Sequence, residues 1–252
     1  MNAYPDGRGS GYVGSLMLPG LAGGHSIRVL DPVAPVGAPE GVVHVAGSAL
    51  DSGVLAGALE GVDVVVHAAM GRRSDVHWPY PDLGRSFEVN VASVYATLAA
   101  AREAGVRRAV LISSLSVFAD GPVALADRVL DEAVEPDASD VYGVSKRLAE
   151  QVCRIAAEAY GMSVTVLRLA WPTPDAVWPR WALPVVFPEP VQVRFADGRP
   201  FFALAASDLA AAVDAAVRRV GGYEVFHIHG GSGSGLSTEK ARVGLGWVAR
   251  YG

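Results

Sequence analysis

The 252-residue chain is 51% hydrophobic and 19% charged, with a formal net charge of -5. That apolar content excludes a disordered chain. The acidic balance lacks the basic footprint that a nucleic-acid partner demands, and a single cysteine, Cys153, excludes a disulfide framework or a cysteine-rich zinc site. The start of the chain shows no basic region followed by an apolar stretch, and no apolar run is long enough to cross a bilayer, so the expected setting is cytoplasmic with no membrane partner.

In chain order, Asn2–Asp6 is short, polar and interrupted by Pro5, a poor candidate for a central strand. A helical pattern covers Val13–Leu21. A strand over Ile27–Leu30 ends at Asp31, and a second covers Val42–Val45. The pattern continues with a helix over Val54–Leu59, a strand over Val64–Val66 and a helix over Val89–Ala104. It then gives a strand over Ala109–Ile112, a helix over Val141–Tyr160 and a strand over Val164–Leu167. The strand segments are short and apolar at nearly every position, as in strands covered on both faces. Strand and helix in alternation predict an α/β fold, a doubly wound parallel sheet of Rossmann type.

The texture changes after Arg168. Residues 170–200 hold seven of the 16 prolines and three of the five tryptophans, which predicts an irregular cap over a cleft. A helix follows from Asp208 to Val220, capped by Ser207 or Asp208. A strand over Tyr223–His229, a Gly/Ser loop and a short helix over Ser237–Val243 complete the chain. The expected organisation is a dinucleotide-binding core over 1–169, with 170–252 supplying a small substrate cap and the returning helix and strand of the core.

Three segments carry chemistry. The first is Gly7-Arg-Gly-Ser-Gly-Tyr-Val-Gly14, glycines that let backbone approach a pyrophosphate at a helix N-terminus, with Asp31 about 20 residues on, where a carboxylate meets ribose hydroxyls. The second is Tyr142-Gly-Val-Ser-Lys146, in which helical spacing puts phenol and ammonium on one face, so that the cation favours the phenolate. The third is Ser113-Ser-Leu-Ser116 at the carboxyl end of a strand, the end at which parallel sheets bind ligands. Ser114 could orient a substrate oxygen there, with Ser113 and Ser116 as competing candidates. No Gly-x-Ser-x-Gly elbow is present, which disfavours a serine hydrolase. His227 and His229 alternate without completing a ligand set, so no metal is expected.

The order of these segments resembles the extended short-chain dehydrogenase/reductase superfamily, its NAD-dependent epimerase/dehydratase group. The likeness extends through Gly61-Val-Asp-Val-Val-Val-His-Ala-Ala69, Asn90-Val, Arg107-Arg-Ala-Val-Leu-Ile-Ser-Ser114, Val166-Leu-Arg-Leu169 and Leu245-Gly-Trp247. It implies Ser114, Tyr142 and Lys146 as the catalytic trio. It implies Gly9, Gly11, Val13, Gly14, Asp31, Ser48, Ala68, Ala69 and Asn90, with Tyr142 and Lys146, as the lining of an NAD site. Asp31 favours NAD, since a carboxylate repels a 2′-phosphate; NADP is the alternative, since Arg8, standing where the family's first glycine belongs, is the one nearby basic group that could reverse this. The compact build resembles the uronate dehydrogenases of this superfamily, and the implied substrate is a small sugar-like molecule or secondary metabolite. Met70, Arg72, Ser116, Trp171 and Arg180 are the candidate substrate contacts. The family also implies a homodimer through the helices Val89–Ala104 and Val141–Tyr160.

The expected function is therefore NAD(P)-dependent hydride transfer at a hydroxyl or carbonyl. An epimerase or dehydratase could use the same trio, although Leu115 after Ser114 argues against the dehydratase. The irregular Asn2–Asp6 and Arg8 keep a third class open, a cofactor-free cyclase, lyase or binding protein.

Overall fold

A computed structural model describes residues 11–70, 83–119, 130–183, 189–195, 197–231 and 235–251. The segment Asn2–Asp6 and the candidates Gly9 and Arg72 lie outside the described residues. The described strands are β1 (Arg28–Asp31), β2 (Val43–Ala46), β3 (Val64–His67), β4 (Arg108–Ser114), β5 (Ser163–Leu169), β6 (Pro172–Thr173), β7 (Leu204–Ala205) and β8 (Tyr223–Ile228). The helices are α1 (Gly11–Leu21), α2 (Ser52–Leu59), α3 (Leu83–Phe87), α4 (Ser93–Glu103), α5 (Val141–Tyr160), α6 (Ala206–Arg218) and α7 (Glu239–Leu245). Every paired strand is parallel: β1 with β2, the order β3-β4-β5-β8, and β6 with β7.

Side chains alternate across a strand, and here both alternating sets are apolar. Val110 and Ile112, Leu167 and Leu169, and Phe226 and Ile228 pack with α1, α6 and α7 in one cluster. Ala109 and Leu111, Val164 and Val166, and Val225 pack with α2, α4 and α5 in the other. Helices on both faces of a parallel sheet are the doubly wound arrangement expected from the strand runs. The carboxyl ends of β3, β4, β5 and β8 therefore open on one edge of the sheet. A third cluster, including Leu115, Val117, Phe118, Ala170 and Phe201, seats the proline-rich segment on that edge.

Two expectations are corrected. The stretch Val89–Ala104 is not one α-helix: residues Glu88–Ala92 form a π turn between α3 and α4. Nor is α6 capped by Ser207 or Asp208. It begins at Ala206, and the carboxylate of Asp175, from the cap, accepts from Ser207 N–H at 3.0 Å. Asp208 is buried in the first turn, where it accepts from the main-chain N–H groups of Arg250 and Tyr251 at 2.9 and 3.0 Å and ties down the chain's end. Among the described residues, no helix is long and apolar enough to cross a membrane.

Candidate active site

The first turn of α5 is built to approach β4. Asp140 caps it, its carboxylate accepting from Gly143 N–H at 3.0 Å. A β-carbon at Gly143 would lie 2.5 Å from Ser116 O and 2.4 Å from Ala138 Cβ, so only glycine lets this turn rest against the Leu115–Val117 turn that follows Ser114. That contact brings the Tyr142 end of the helix to the serine cluster.

Lys146 lies one turn further along α5. It is buried, its Nζ donates to Ile112 O at 3.0 Å, and the same Nζ stands 5.9 Å from the centroid of the Tyr142 ring. Burial lowers its pKa to about 8, against the opposing pull of Glu150. The cost of carrying that charge unsolvated is fully present below about pH 8. It fades up to the usual lysine value, because over that interval the unfolded chain binds the extra proton. Lys146→Met is therefore expected to stabilise the fold near neutral pH by about 2 kcal/mol, less than the shift alone implies because the bond to Ile112 O is lost. The gain should shrink as pH rises from about 8 toward 10.5. Urea unfolding of both proteins across that range checks the sign.

The serine cluster divides by face. Ser113 is buried and donates to Glu150 Oε1 at 2.6 Å, facing α5 and away from the strand end. Ser114 is partly exposed, accepts from Ser116 N–H at 3.1 Å and lies 3.1 Å from Ser116 Oγ. Two hydroxyls, Ser114 and Ser116, are thus adjacent beyond β4.

Asn90 is buried in the π turn, and its amide donates to Ser145 Oγ at 2.9 Å. Ser145 in turn donates to Tyr142 O at 2.8 Å. The π turn is pinned from the other side by Ser93, which donates to Val89 O at 2.5 Å and lies 2.8 Å from His67 Nε2. Burial first, then the charge of Lys146, pushes His67 down to about 3, so its ring is neutral. Ser145 and His67 were not among the sequence candidates. Both stand inside the segments Tyr142–Lys146 and Gly61–Ala69, but their roles depend on partners from other elements.

The remaining candidates lie around the sheet edge. Gly11 opens α1 in the left-handed region with φ +61°, and Gly14 is buried one turn on. Val13 packs against the cluster on the α1 face. Asp31 closes β1, is 1% exposed, and accepts from Val33 N–H at 2.9 Å. Ser48 lies between β2 and α2, accepting from Leu50 N–H at 3.2 Å. Ala68, Ala69 and Met70 follow β3 and are partly exposed. Trp171 follows β5, and the exposed Arg180 lies in the turn after residues 175–177. A further link joins the glycine-loop helix to the cap: the Tyr12 hydroxyl donates to Ala182 O. Burial pushes this phenol up to about 12, against a bond from Thr173, so it keeps its proton.

A helix N-terminus opening at a left-handed glycine, a carboxylate at one strand tip and small alanines at another make a donor and acceptor set suited to a dinucleotide. The model of the NAD dependent epimerase/dehydratase family matches residues 9–172. L-arabinose 1-dehydrogenase (NAD(P)(+)) of Haloferax volcanii is 30% identical over 171 residues, 64% of this chain and 64% of that protein. An uncharacterized Sinorhizobium fredii protein is 27% identical over 165 residues, covering 64% of this chain and 38% of its own length. The chain thus matches under two thirds of the length of either relative. Uronate dehydrogenase from Agrobacterium tumefaciens superposes with a TM-score of 0.73 at 22% identity, covering 96% of this chain and 81% of that one. MoeE5, solved with UDP-glucuronic acid and NAD, gives 0.74 at 23% identity, over 96% and 92%. At such identities the superpositions speak for the fold.

Proposed function

Because the chain belongs to the NAD dependent epimerase/dehydratase family, we propose that it is an NAD-dependent dehydrogenase acting at a hydroxyl or carbonyl carbon of a small sugar-like substrate. The observation that carries this reading is the buried Lys146 amine, bonded to Ile112 O of β4 and 5.9 Å from the centroid of the Tyr142 ring. A cation held there favours the phenolate, so Tyr142 can take a proton from a substrate hydroxyl or return one to a carbonyl. Ser114, with Ser116 beside it, orients the reacting oxygen by hydrogen bonding. The Asn90–Ser145 link steadies the Tyr142 main chain. Gly11 and Gly14 face the pyrophosphate and Asp31 the adenosine ribose, with Ser48, Ala68 and Ala69 lining the same seat. The dinucleotide, when bound, supplies the hydride acceptor that no side chain provides.

The relatives named above support a sugar as substrate, since arabinose and uronate dehydrogenases are among them. Exposed Tyr95 on α4 and exposed Leu148 and Ile155 on α5 support a homodimer paired through these helices. Titrating NADH and NADPH by thermal shift tests the reading at its base: saturable NADH binding is expected, and no shift with either nucleotide would overturn it. In the same assay, Asp31→Asn keeps an oxygen for Val33 N–H but removes the charge that repels a 2′-phosphate. The preference for NADH over NADPH should fall about tenfold. An unchanged ratio would confine Asp31 to its turn.

A further inference from the structure

Trp171 is the one non-glycine residue at positive φ among the described residues, with φ +42°. A β-carbon crowds that backbone region, and a residue preceding proline is restricted further; Trp171 precedes Pro172. The surroundings impose the conformation. Ala170 N–H donates to Ile228 O at 3.2 Å, and Leu204 N–H donates to Trp171 O at 3.1 Å. Pro172 then enters β6 at once, in register with Leu204. Glycine or asparagine would hold this backbone with less strain, so the indole is retained for what the side chain does.

Core packing explains only part of it: Trp171 packs against the cluster that holds Leu115, Phe118 and Phe201, yet is not enclosed by it. Phe201, which meets the indole edge-on at 4.6 Å between centroids, is 1% exposed, whereas Trp171 stays partly exposed. The position is telling. Leu169 pairs with Ser114 across β4 and β5, so Trp171 stands two residues beyond the register that carries Ser114. Strained residues that their surroundings hold in place gather at ligand sites. We propose that Trp171 is the platform on which the substrate ring stacks, and that the substrate is a sugar taken in its cyclic form, its C–H face on the indole. This rests on the dehydrogenase reading above and deepens it. An indole face attracts polarised C–H groups and is rigid, while Phe201 braces it from the side.

The test compares the wild type with Trp171→Asn and Trp171→Phe. L-arabinose and glucuronate are titrated into each by calorimetry and by indole fluorescence, and oxidation with NAD is followed in parallel. Trp171→Asn should weaken sugar binding and raise KM about 10- to 100-fold. It should leave NADH binding unaltered. Trp171→Phe keeps a ring and should lose less than about fivefold. Unchanged sugar affinity in Trp171→Asn would overturn the platform. If the wild type binds these sugars through Trp171 but does not oxidise them, the platform stands and the dehydrogenase reading fails. A wild type that binds neither sugar overturns the platform, while NADH binding and Tyr142 dependence judge the dehydrogenase reading separately.

Discussion

Replacing Tyr142 by Phe is expected to lower kcat about 10²- to 10⁴-fold, the usual worth of a positioned acid or base, while NADH affinity and Tm stay within error of the wild type. The substitution removes one oxygen and leaves the rest of the constellation. The ring 5.9 Å from Lys146 Nζ remains, and so do the Asp140 cap and the glycine contact that seats the turn on Ser116 O. The bond from Ser145 reaches Tyr142 through its carbonyl, which the substitution does not touch. Loss of turnover with intact folding and nucleotide binding would therefore isolate the phenolic proton. Steady-state kinetics in both directions, with thermal-shift titration of NADH, make the comparison. A variant that keeps more than about a tenth of wild-type kcat would place the proton transfer elsewhere.

The same constellation shows what could be read from the chain and what could not. The strand runs and the 20-residue α5 were legible because burial on both faces leaves an unbroken apolar signature, and because Asp140 and Gly161 mark the helix ends. The approach of Tyr142 to the serines was legible only as a spacing; Gly143, which permits it, reads locally as an unremarkable glycine. The π turn was not legible. It is held by Asn90 to Ser145 and by Ser93 to His67, partners 55 and 26 residues away, and no periodicity carries such information. The start of α6 was misread for a similar reason. A capping residue from the same segment was expected, but Asp175 reaches across from the cap, which leaves Asp208 to hold residues 250 and 251. Ser113 and Ser114 could be separated only once β4 was known to present one to Glu150 and the other to the open edge.

An arginine stands inside the apolar run Val164-Thr-Val-Leu-Arg168, and a charged residue in a doubly covered strand needs a buried counter-charge. The structure supplies it. Arg168 and Glu150 are 4% and 3% exposed, and two bonds join them: Nε to Oε1 at 3.0 Å and a second guanidinium nitrogen to Oε2 at 2.8 Å. Ser113 donates to the same carboxylate at 2.6 Å, and Phe118 lies against the guanidinium at 5.2 Å from its ring centroid. The pair thus locks α5 to β4 and β5 one turn beyond Lys146.

Removing one partner strands the other charge in a medium that cannot solvate it. Arg168→Met is accordingly expected to destabilise the fold by about 3–5 kcal/mol, a fall in Tm of roughly 10 °C for a chain of this length. The double variant Glu150→Met with Arg168→Met separates an unpaired charge from lost packing. Replacing both ions by apolar groups of similar size costs little, so it should recover most of the loss, though Ser113 then gives up its acceptor. Urea midpoints for the wild type, both single variants and the double close the cycle. If the double variant is no more stable than Arg168→Met alone, the pair contributes shape rather than charge compensation, and the two residues count as packing atoms of the α5 seat.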